Sequence, residues 1–268
     1  MFNRILAFMK KWFPIVLLFL SHFIFAQPKL QKIDAQILQA DAFIGYDNFG
    51  WRYYIENNIF NKENDEKVLQ YKNVALGKIA KTDIQNPLKL VLFYESFNTV
   101  VMLDNQLNET QKVKFSENAV PLVATAVGMA SQNRLWIYNS LSQKIGLFDY
   151  LKNDYIEITT PLYARIIHYE SDFNYFYWID DADNRFACDV YGKVSAYGKF
   201  DNYDHFKIVD DQWILFSKSD SLYALEVKSD KKYLLQIDEK TFKSFDCKAQ
   251  ILSIFTKEGI TNYKITLP

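Results

Sequence analysis

Six stretches of the chain repeat one pattern of hydrophobic and polar positions. An apolar or aromatic run is followed by three or four polar or turn-forming residues, and then by a run in which apolar and polar positions alternate. They lie at 42–57, 90–104, 135–149, 175–190, 213–227 and 251–267. Each reads as a β-hairpin. The continuous first run fits a strand covered on both faces, and the alternating second run fits a strand nearer solvent.

Aligning the last large residue of each first run (Tyr46, Tyr94, Tyr138, Ile179, Phe216 and Phe255) gives spacings of 48, 44, 41, 37 and 39 residues. A four-stranded propeller blade repeats every ~40–45 residues. The segments between hairpins supply the missing strands: 155–158 and 165–169, 193–200 and 205–209, 233–237 and 244–249. Residues 119–130 look helical, but Pro121 and the Val-Ala-Thr run favour a buried inner strand. These units predict an all-β fold, a six-bladed β-propeller of four-stranded antiparallel blades. The chain ends on the third strand of its sixth unit, and residues 29–33 form a spare strand that would close that blade. Eight glycines in all, and no Gly-His or Trp-Asp pair at blade ends, separate the pattern from WD40 repeats.

The first 26 residues stand apart. Arg4, Lys10 and Lys11 precede an apolar run from Trp12 to Phe25, and Ala26 offers a small residue for cleavage, the order of a secretory signal. Fourteen apolar residues are too few for the ~20 that span a bilayer. The expected organisation is a signal peptide at 1–26 and one propeller domain at 27–268. Removing the three basic residues takes the formal net charge from −1 to −4. An acidic chain with scattered lysines lacks the basic face that nucleic acid requires. Cys188 and Cys247 could bridge in an oxidising compartment, yet each sits in an apolar-alternating segment where a free thiol is at home.

Candidate chemistry is sparse. His168 and His205 fall on predicted inner strands, where both would face a central channel, but no third ligand has metal-site spacing. Asp180, Asp181, Asp183 and Asn184 begin like a calcium loop, which Arg185 and the missing glycine interrupt. Asp210 and Asp211 are strand neighbours that point to opposite sides. The stretch 63–66 is a second acidic group. No nucleophile, phosphate-loop or metalloprotease motif is present, so no catalytic residue, metal ligand or cofactor is assigned.

Aromatic residues make up 17% of the chain, an unusual share; most alternate inward on strands as core, and the exceptions are rings at turn positions. Phe49 and Trp51 flank Gly50 in the first hairpin turn, and Phe97 sits in the second, where Asn, Asp, Gly or Ser is usual. If both turns join second to third strands, the three rings share one face and form a contact patch.

The leader's ending, Phe-Ala-Gln, resembles signals common in bacteria that use type IX secretion. With the small exported all-β body, the chain resembles an accessory, plug-like subunit of that secretion translocon. The resemblance implies a protein partner at the outer membrane and residence in the periplasm. The leading expectation is a non-enzymatic protein-interaction scaffold of the cell envelope. A carbohydrate- or peptide-binding propeller and a hydrolase or lyase with channel-facing carboxylates are the alternatives.

Overall fold

The computed structural model describes residues 27–200 and 203–268. The segment read as an export signal lies outside these residues. The described chain forms six four-stranded antiparallel sheets arranged as the blades of a propeller. The innermost strands are Ala42–Tyr46, Lys81–Asp83, Ala124–Ala130, Ile166–Ser171, His205–Ile208 and Ser244–Lys248, in blades 1 to 6.

The second and third strands of each blade hold the core. In blade 2 every residue of Leu90–Tyr94 and Thr99–Leu103 is buried, as a strand packed between two neighbouring blades must be. Trp136 of blade 3 is fully buried against Phe176 of blade 4, and its indole N–H donates to the Asp172 carbonyl 2.8 Å away.

Ring closure follows the sequence expectation and extends it. The closing strand is Lys29–Ile37, four residues longer than predicted, and it pairs antiparallel with Gly259–Thr266 as the outer strand of blade 6. It also reaches blade 1, because Gln36 Oε1 accepts from Arg52 Nη1 at 3.0 Å. The inner strand at 119–130 is real but begins at Ala124.

The first hairpin is out of phase with the others. Residues 42–57 comprise the first and second strands of blade 1, whereas the other five hairpins are second and third strands. The true equivalent is Arg52–Glu56 with Ile59–Glu63, joined by Asn57 and Asn58, both left-handed (φ 51° and 59°). That is the geometry of a two-residue hairpin turn. Second strands then start at 52, 90, 134, 175, 213 and 251, a more even repeat.

Both cysteines are free and buried, Cys188 in blade 4 and Cys247 in blade 6. Burial pushes each thiol up to about 12, so neither is a reactive thiolate near neutral pH. Among the described residues no helix is long and apolar enough to cross a membrane.

Candidate functional site

Antiparallel strands stacked outward from the axis put their turns on two faces. Turns between strands 1 and 2 and between strands 3 and 4 share a lower face. Turns between strands 2 and 3 and the loops to the next blade share the upper face. The phase of blade 1 therefore separates the three candidate aromatics. Phe49 and Trp51 lie on the lower face and Phe97 on the upper, so the expected three-ring patch does not form.

Their environments differ as well. Trp51 covers the ammonium of Lys62, which lies 4.9 Å from its ring centroid while donating to the Asn105 carbonyl at 2.9 Å. Lys62 is only 3% exposed, and burial lowers its pKa. Trp51 is thus a wall of a buried cation site that supports its own blade. Phe49 projects from a turn closed by Asp47, whose carboxylate accepts the amides of Phe49 and Trp51. Phe97 is half exposed and covers Gly77 in the preceding loop.

Phe97 has company on the upper face. Successive loops of the first three blades display Val74, Phe97, Val120, Val123, Leu141 and Tyr163, all exposed. Side-chain amides stitch these loops together. Asn98 donates to the Leu122 carbonyl at 2.6 Å and accepts from the Ala124 amide at 2.9 Å, while buried Asn139 accepts the Val123 amide and donates to the Pro121 carbonyl. The same face on blades 4 to 6 carries Asp181, Asp183, Asp204, Asp220, Asp238 and Glu239 instead. One sector is apolar and held rigid; the other is acidic.

A cavity of about 1260 Å³ runs down the centre, lined from all six inner strands. Its middle holds five charges: Lys81 and Asp83 of blade 2, Glu170 of blade 4, Lys207 of blade 5 and Asp246 of blade 6. Two glycines make room for side chains there, Gly45 for Asp246 and Gly128 for Ser171. A Cβ at Gly45 would lie 2.5 Å from Asp246 Oδ2, and one at Gly128 would lie 1.9 Å from Ser171 Oγ. Each carboxylate is engaged. Asp83 accepts the Met129 and Gln85 amides at 2.7 and 2.8 Å, and Glu170 accepts the Ile208 amide at 2.9 Å. Lys207 Nζ sits 3.0 Å from Asp246 and 3.8 Å from Glu170, and these two acids raise its pKa.

The remaining sequence candidates have local roles. His168 and His205 are on inner strands, but neither lines this cavity. His168 packs against the Phe206 ring, centroids 4.1 Å apart. Asp180 closes its own hairpin by accepting the Ala182 and Asn184 amides, the backbone function expected of Asp in a turn. Asp210 caps the turn before Trp213, and Glu63 pairs with Arg52 at 2.7 Å. No spacing rule finds the channel cluster, because its members come from four blades.

Burial drives the His168 pKa down to about 3, helped by the charges of Lys81, His205 and Lys207. The unfolded value is about 6.5, so the folded state disfavours the proton. The associated stability is complete above the unfolded value and is lost as pH falls toward the folded one. At pH 5 the loss amounts to about 2 kcal/mol from this group. Urea titrations at pH 7.5 and pH 5 should show that loss in the wild type and a smaller one in His168→Gln.

No protein-family model and no curated relative matches the chain. Solved structures match in fold. Virginiamycin B lyase from Staphylococcus aureus superposes with a TM-score of 0.59 at 10% identity, covering 90% of this chain and 100% of that one. PorZ, a surface component of the type IX secretion system of Porphyromonas gingivalis, gives 0.51 at 12% identity, covering 88% of this chain and 34% of PorZ. BamB from Moraxella catarrhalis gives 0.52 at 10% identity, covering 89% of this chain and 100% of that one. Identities this low show the propeller and nothing finer.

Proposed function

We propose that the protein is a non-catalytic interaction scaffold of the bacterial cell envelope, periplasmic after cleavage at 26, that holds a protein partner beside an outer-membrane secretion translocon. The observation that carries this reading is the apolar sector of the upper face. Six large apolar side chains lie on consecutive loops, the middle three of which are bridged by the Asn98 and Asn139 amides, and they offer a surface of the kind that interfaces bury. The leader supports export.

The competing readings fit less well. A hydrolase or lyase needs a general acid or base beside its substrate; of the seven acids that line the cavity, the three at its middle, Asp83, Glu170 and Asp246, are engaged by amides or by Lys207. A sugar-binding aromatic face needs rings on one side, and Phe49 and Phe97 are on opposite sides.

The test is capture from envelope extracts with the tagged mature protein, followed by identification of the retained proteins. The wild type should hold an outer-membrane protein that the Phe97→Asp/Leu141→Asp double variant releases, with both proteins melting at the same temperature. Retention by the double variant removes the sector from the reading, and absence of any stable partner removes the scaffold role.

A further inference from the structure

The middle of the channel has an unbalanced member. Asp83, Glu170, Asp246 and Lys207 all have partners, but the Lys81 ammonium makes neither a hydrogen bond nor an ion pair among the described residues. It lies over the face of Tyr169, 4.9 Å from the ring centroid. Three N–H donors therefore open into a cavity of about 1260 Å³. An ammonium without a fixed acceptor is open to one that a ligand brings, as a charge-assisted hydrogen bond.

We infer that the channel is a binding site for a small monocarboxylate whose neighbouring groups donate hydrogen bonds, such as a hydroxy acid or an amino acid. Lys81 anchors the carboxylate. The surrounding acids set the rest of the specificity. With Asp83, Glu170 and Asp246 close by, a second negative charge on the ligand would meet repulsion, which selects a monoanion over a phosphate. The same acids accept from a ligand hydroxyl or ammonium. Ser171, admitted by Gly128, presents a hydroxyl from blade 4 close to Asp83 of blade 2. Burial holds the Lys81 pKa below its ordinary value, against the attraction of Glu170. A bound carboxylate reverses that imbalance.

The site is independent of the upper-face sector, so the two proposals fail separately. The probes are L-lactate, L-serine and inorganic phosphate at about pH 8, where phosphate is mainly the dianion, followed by thermal unfolding of the full mature chain. At about ten times its Kd, a binding carboxylate should raise Tm by roughly 3 °C. Phosphate should leave Tm unchanged, and Lys81→Met should abolish the carboxylate shift. A second measurement needs no variant. Reductive methylation read by peptide mass spectrometry should show Lys81 protected at least about threefold by the binding probe, with exposed Lys152 unaffected. Failure of both carboxylates to bind, equal binding of phosphate, or an undiminished shift in Lys81→Met overturns the proposal. If Lys81→Met does not fold, unchanged methylation of Lys81 in the wild type overturns it.

Discussion

A chain that begins at residue 38 should melt well below one that begins at residue 27. The closing strand pairs with the third strand of blade 6 at eight positions from Lys29 to Ile37. It also carries contacts that join the first and last blades, since Gln36 accepts from Arg52 at 3.0 Å and from the Tyr46 hydroxyl at 3.4 Å, while Asp34 accepts from buried Asn262 within blade 6 at 2.8 Å. Each ladder bond contributes ~0.5–1.5 kcal/mol net, and freeing the strand returns chain entropy. A net loss of about 4 kcal/mol lowers Tm by roughly 8–16 °C in a domain of this size. The ring also loses its clasp: among the described residues no other strand from the first part of the chain pairs into the blade 6 sheet, which otherwise meets blade 1 through packing such as Phe43 against Phe255. Thermal unfolding with and without the segment measures this, and a synthetic 27–40 peptide added in trans should restore part of the loss. An unchanged Tm would remove the clasp from the account of stability.

Lys207→Met is the point substitution expected to cost most. It leaves Asp246 and Glu170, both mostly buried, facing each other without the ammonium between them. Breaking a buried ion pair from one side costs ~3–5 kcal/mol. Lys207 is one third exposed to the channel, and water there screens part of the charge, so about 2–3 kcal/mol is expected. That corresponds to a fall in Tm of roughly 5–10 °C. The triple variant Lys207→Met, Glu170→Gln, Asp246→Asn should recover most of it, since removing all the charges also removes the unpaired ones. Unfolding curves for the two proteins decide the point. Equal destabilisation in both would mean that the lysine stem, by its packing, matters more than its charge.

The fold was largely legible because a propeller blade writes its period into the chain. Strands buried on both faces must be apolar throughout, as in Leu90–Tyr94, and the turns between them must be polar. The misreading of blade 1 has a physical cause in the same rule. Its third strand, Ile59–Glu63, contains Asn61 and Lys62, which look exposed in the letters but are buried. Asn61 is satisfied by Gln70 and the Ile59 carbonyl, and Lys62 by the Asn105 carbonyl and the Trp51 ring. Hydrophobic patterning cannot foresee partners supplied from elsewhere in the chain, so the hairpin was placed one strand early. That error moved Phe49 and Trp51 to the wrong face.

By itself the sequence determined the number of blades, the all-β class and the strand that closes the ring, because each follows from local alternation and a repeat length. Only the tertiary structure decided which faces the turns occupy, and so which aromatics can meet. The channel cluster likewise exists only after closure. Lys81, Asp83, Glu170, Lys207 and Asp246 span 166 positions of the chain, and none has a meaningful neighbour until six inner strands converge on one axis. Periodicity reports what each blade buries on its own; the chemistry at the centre depends on what the blades bring to one another.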